Sequence, residues 1–106
     1  MASNLPSKYQ VLQGELEDLI MARQKLETQL QENKIVIEEF NQLPSESQVY
    51  KLTGNVLLPV DQEEAHSNVD KRLEFIQTEI SRCENNIKNK QQELDNVRSE
   101  ILKMRQ

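Results

Sequence analysis

The chain has no tryptophan, and aromatic residues make up only 4% of its 106 residues. So few large rings suit exposed helix surface and do not fill a thick globular core. Its two glycines, Gly14 and Gly54, stand far apart, which excludes a glycine-rich loop for cradling phosphate. A single cysteine, Cys83, cannot close an internal disulfide, so the expected compartment is a reducing one, the cytoplasm. Long apolar runs are also missing. The longest, Val56–Val60, falls far short of the roughly 20 residues that span a bilayer, so no membrane partner is expected. The N-terminus lacks the charged and apolar regions of a signal peptide. No basic cluster interrupts the net charge of -5, which argues against a nucleic-acid partner.

What the chain does have is two apolar stripes with alternating spacings of four and three. The first runs Leu5, Tyr9, Leu12, Leu16, Leu19, Leu26, Leu30, Ile37 and Phe40; the second begins at Val69, Leu73, Ile76 and Ile80 and continues through Cys83 and Ile87 to Leu94, Val97, Ile101 and Met104. A 3.5-residue repeat makes a narrow stripe on a helix that must be buried against another helix. Two such stripes in one chain of single-domain length predict a mainly α fold, a long antiparallel two-helix coiled coil, over residues 1–106. The first helix is expected over 6–42, starting at Pro6 and stopping before Pro44. The second is expected over 62–106, with Asp61 as its cap, Glu64 completing a capping box, and Val60 and Ala65 forming a weak staple.

If facing positions sum to 106, Phe40 meets His66, Leu30 meets Ile76, Leu26 meets Ile80, Leu12 meets Leu94, Tyr9 meets Val97 and Leu5 meets Ile101. Three layers are then mixed: Asn33 with Leu73, Arg23 with Cys83, and Leu16 with Lys90. Polar seam residues of this kind fix register at some cost in stability.

Residues 48–60 read differently. Val49, Tyr50, Leu52, Val56, Leu57, Leu58 and Val60 are strand formers, and Thr53-Gly54-Asn55 lies between the two runs with Gly54 or Asn55 able to take positive φ. Pro59, which has no N–H, belongs at a strand end or edge. The simpler alternative is an irregular helix–helix loop. A lone two-stranded hairpin is hardly stable in water, and this one would carry apolar residues on both faces. Its free edges predict assembly, with several hairpins closing a shared oligomeric β-barrel from which the coils project.

No constellation for catalysis emerges. Cys83 sits on the seam as a structural thiol, and His66 has no second histidine four residues on, so the zinc-protease helix pattern is absent. The pairs Glu17-Asp18 and Glu38-Glu39 read as solvated helix faces. We therefore expect no catalytic residues, no cofactor and no metal. Antiparallel pairing instead gathers Leu5, Tyr9, Leu12, Val97, Ile101 and Met104 at the free ends, with Val11 and Leu102 just off the seam. Fraying costs little there, so these side chains can meet an unfolded chain, with Met104 useful for its flexibility. The alternative is that they only close the coil. Ile35, Val36 and Phe75 are off-seam residues near the β end, expected to pack against the shared body.

The order helix, Val49-Tyr50-Lys51-Leu52-Thr53-Gly54-Asn55-Val56-Leu57-Leu58, helix resembles the β-type subunits of prefoldin. Ala22–Leu30 and Asn68–Ile76 support the match, which covers nearly the whole chain. The resemblance implies an ATP-independent chaperone made as a hetero-hexamer of two α-type and four β-type subunits, six coils hanging from a double barrel. It also implies partners beyond those subunits: unfolded actin and tubulin held between the tips, and the cytosolic group II chaperonin that receives them. A structural coiled-coil tether without chaperone activity is the competing reading, and a tether has no need of the β-hairpin.

Overall fold

A computed structural model of the chain describes residues 4–105. Two long helices, α1 (Leu5–Gln42) and α2 (Gln62–Met104), flank an antiparallel pair of strands, β1 (Val49–Thr53) and β2 (Val56–Val60). The expected helical hairpin with its β insertion is therefore the observed fold class. Pro6 falls in the first turn of α1, where a missing N–H is harmless. The helix ends two residues before Pro44, and the Leu43 N–H donates to the Phe40 carbonyl at 3.1 Å in a tightened last turn.

The chain divides into two compact units, the first built from residues up to Glu27 and from Glu79 onward, the second from Thr28–Thr78. In the first unit Leu12, Leu94 and Val97 form a buried cluster, with Leu5, Tyr9, Leu16 and Ile101 half-buried against it. These contacts put the early part of α1 antiparallel to the late part of α2, and they agree with the register in which partners sum to 106. Ile80 and Cys83 are buried in the same unit. In the second unit Leu30, Val69 and Ile76 are buried, and the Phe40 and His66 rings meet edge to face, their centroids 6.1 Å apart.

Every seam position from Leu5 to Phe40, polar ones included, is buried or half-buried, as is every one from Val69 to Ile101. Met104 departs from the expected seam and is exposed. Its partner in the same register would be Ala2, which lies outside the described residues, as does Gln106 at the end of the expected second helix.

The mixed layers are resolved by reach rather than by register. Arg23 does not stay with Cys83: its guanidinium donates to Glu84 Oε1 at 3.2 Å, near the surface. The Cys83 thiol instead donates to the Leu19 carbonyl, with Sγ 3.2 Å from the oxygen. Lys90 turns from Leu16 to Glu15, pairing its ammonium with the carboxylate. That hydrogen bond raises the Lys90 pKa above the ordinary 10.5; partial burial opposes it, and the charges of Glu15 and Glu93 add to it. Asn33 turns to its own helix, where its side-chain amide donates to the Gln29 carbonyl one turn back, at 2.7 Å.

The start of α2 is also simpler than expected. Asp61 occupies the cap position and its carbonyl accepts from the Ala65 N–H at 2.9 Å, but neither Asp61 nor Glu64 makes a side-chain hydrogen bond among the described residues. Gln62 does the tying instead. Its side-chain amide donates to the Pro44 and Ser47 carbonyls, each at 2.9 Å, which anchors the turn that the Ser47 N–H closes on Pro44.

Candidate functional site

Within the second unit, strand-forming residues pair as Val49 with Val60, Tyr50 with Pro59, Lys51 with Leu58, Leu52 with Leu57 and Thr53 with Val56. The loop is the two residues Gly54-Asn55, and Gly54 takes φ +62° while no other described residue has positive φ. Glycine first with positive φ is the arrangement of a type II′ hairpin turn, whose twist matches that of the strands. The expectation left open between Gly54 and Asn55 is thus decided for Gly54. Gln48 closes the other end, its side-chain amide donating to the Val49 carbonyl at 2.9 Å and more weakly to that of Val60 at 3.4 Å.

Side chains alternate between faces along a strand. One face carries Val49, Lys51, Thr53, Val56, Leu58 and Val60; the other carries Tyr50, Leu52, Leu57 and Pro59, with no charge at all. Only Val49 and Val60, at the helix end of the hairpin, are even half-buried. Leu52 is 67% exposed, Leu57 62% and Val56 57%. A shallow hollow of about 360 Å³ lies between the base of the sheet and the helices, lined by Phe40, Val49, Tyr50, Val60, Val69 and Arg72 among others. Residues chosen to pack within a sheet core are here left in solvent on both faces and along both edges. Contiguous apolar exposure of that kind marks an interaction surface.

The other sequence-predicted residues separate into two groups. Leu12 and Val97 are buried in the first unit's cluster, and Leu5, Tyr9 and Ile101 are half-buried against it. Val11, Leu102 and Met104 are exposed. Ile20 and Met21 are exposed on α1, and in the second unit Ile35, Val36 and Phe75 are exposed as well. His66 is engaged on both ring nitrogens, by Asn41 Oδ1 and by Asp70 Oδ2, each at 3.1 Å. Sequence reasoning passed over Gln48, whose side chain closes the open end of the hairpin, and Gln62, which ties the start of α2 to the turn at Pro44–Ser47. Glutamine before a strand or at the start of a helix carries no positional signature that would have singled them out.

Comparison with known proteins gives a consistent answer. The family described as "Prefoldin subunit" matches residues 3–106. Prefoldin subunit 6 of Saccharomyces cerevisiae is 70% identical over 102 residues, covering 96% of this chain and 90% of that protein. Human prefoldin subunit 6 is 39% identical over 99 residues, covering 93% of this chain and 77% of its own length. Among solved structures, the prefoldin beta subunit from Thermococcus strain KS-1 superposes with a TM-score of 0.88, over 97% of this chain and 90% of that one, at 19% identity.

Proposed function

This chain belongs to the prefoldin subunit family, and on that premise we propose that it serves as a β-type subunit of a hetero-hexamer that holds unfolded proteins without ATP. Subunits of this family are non-enzymatic chaperone components that assemble with one another. The finer reading is ours: two α-type and four β-type subunits, unfolded actin and tubulin as clients, the group II chaperonin as recipient, and the cytoplasm as the place of work.

The observation that carries this reading is the β-hairpin, whose apolar residues are exposed on both faces of a sheet too small to be stable alone. Val49, Tyr50, Leu52, Val56, Leu57, Leu58 and Val60 are the residues we assign to assembly. A tether has no use for such an element, and this weighs against the structural alternative. Clients are assigned to the helix ends. Val11, Leu102 and Met104 offer apolar surface there without any change of fold, while Leu5, Tyr9, Leu12, Val97 and Ile101 become available where the ends fray. Contacts of this kind are adaptable and weakly selective, which suits a holder of non-native chains.

The test is reconstitution of the complex with and without this chain, followed by dilution of chemically unfolded actin in the absence of nucleotide. The complete complex should suppress light scattering by actin and release it to the chaperonin. A complete complex that leaves aggregation unchanged would support the tether.

A further inference from the structure

We propose that the outer edge of β1, at Tyr50 and Leu52, is the edge on which a strand of a neighbouring prefoldin-type subunit docks with a full ladder, and that Pro59 makes the outer edge of β2 a poor one. The proposal rests on the hairpin being the assembly element, and it names which of its two edges is the strong junction.

Strand-pairing parity distinguishes the two edges. A two-residue turn closes on a hydrogen-bonded pair, here Thr53 and Val56. Hydrogen-bonded and non-hydrogen-bonded pairs alternate along an antiparallel ladder. Lys51–Leu58 and Val49–Val60 are therefore bonded pairs, whereas Leu52–Leu57 and Tyr50–Pro59 are not. In the latter two, the backbone groups point away from the hairpin, toward its outer edges. On β1 this sets out two N–H donors and two carbonyl acceptors, from Tyr50 and Leu52. On β2 it sets out the N–H and carbonyl of Leu57 but only the carbonyl of Pro59, and the proline ring occupies the direction in which a donor would point. Proline is thus tolerated inside this hairpin because its missing donor faces outward, and that same placement damages the outer edge.

The occupant follows from the chemistry. Among the described residues the sheet has only these two strands, so both edges are open. An edge of alternating free N–H and C=O groups flanked by exposed Tyr50 and Leu52 side chains is matched by another extended strand with free edge groups. Having one intact edge and one interrupted edge also restrains copies of the chain from adding to each other edge to edge without limit.

Residue-resolved amide exchange on the isotopically labelled chain, free and in the reconstituted complex, tests the assignment. The Tyr50 and Leu52 amides should exchange about tenfold more slowly in the complex than in the free chain, and more slowly there than the Leu57 amide. Leu57 protected as strongly as Leu52, in a complex containing the chain, would overturn the edge assignment alone. A chain that fails to enter the complex would overturn the assembly reading and this proposal with it. A second measurement leaves the side chains intact: Leu52 or Leu57 is replaced by the corresponding α-hydroxy acid, which exchanges one N–H for oxygen. The change at 52 should weaken incorporation by roughly tenfold and the change at 57 by clearly less; equal losses would count against the proposal. Finally, Pro59→Val returns the missing donor and should increase self-association of the isolated chain by light scattering. Unchanged association would refute the role given to Pro59.

Discussion

Replacing Leu57 and Leu58 together by glutamate separates assembly from folding, because the two side chains lie on opposite faces of the hairpin and neither is needed by the chain's own core. Leu57 is 62% exposed and Leu58 47% exposed. Burying a leucine fully stabilises by about 1.5–3 kcal/mol, so the surface each still has to bury on assembly is worth about 0.9–1.9 kcal/mol for Leu57 and about 0.7–1.4 kcal/mol for Leu58. Together these come to about 1.6–3.3 kcal/mol, which weakens association about 15- to 250-fold before any cost of desolvating the new carboxylates. That cost adds to the loss, since an unpaired charge in a sheet core is strongly disfavoured. The free chain should be barely affected, as substitutions of exposed residues stay within about 0.5 kcal/mol. Circular dichroism should therefore show helix content unchanged while co-purification with partner subunits is lost. A double variant that co-purifies at normal stoichiometry would refute the reasoning, and a variant that loses its helices would show that the hairpin supports the coil after all.

The seam should respond in the opposite way. Ile76→Ala, at the most buried position among the described residues with 3% exposure, should cost about 2–5 kcal/mol, read as a fall in the denaturant midpoint of the assembled complex. Lys90 gives a pH signature: its raised pKa means the Glu15 pairing stabilises fully below pH 10.5 and is lost as pH rises through the elevated value. Thermal melting should therefore fall in that alkaline range for the wild type and fall less for Glu15→Gln; identical alkaline profiles would dissociate the pair from stability. At the helix ends, Val11→Ser, Leu102→Ser and Met104→Ser combined should reduce suppression of client aggregation while the complex still forms, because all three side chains are exposed and outside the buried cluster. Full holding activity in that variant would remove these residues from the client surface.

The seam was legible because helical periodicity is a local property: three-and-four spacing fixes which side of α1 and α2 is covered, whatever covers it. The register was legible too: the Phe40 and His66 rings meet as the pairing sum requires, and Leu12, Leu94 and Val97 gather with Leu5, Tyr9 and Ile101 in agreement with it. What was not legible was where the polar seam side chains find their hydrogen-bond partners. Arg23 and Lys90 have stems long enough to leave the layer that their Cα atoms occupy, so they found Glu84 and Glu15 on flanking positions. Asn33 and Cys83 satisfied themselves with backbone carbonyls, which no side-chain pattern announces. The hairpin was readable from Gly54 and its β-branched and leucine-rich flanks, but the consequence of Pro59 was not. Its direction depends on the parity of strand pairing, which is settled only once the two-residue turn is known.

Cys83 is the chain's single cysteine, buried in the seam with its thiol hydrogen given to the Leu19 carbonyl of the opposite helix. A thiol-specific reagent cannot reach it until α1 and α2 part locally and that bond breaks. With reagent concentrated enough for labelling to outrun reclosing, the rate of labelling is then a clock for a single event, the opening of the seam between Leu19 and Cys83, and needs no introduced probe. Run on the free chain, on the assembled complex and on the complex loaded with client, the same clock would time how often this subunit's two helices come apart during work.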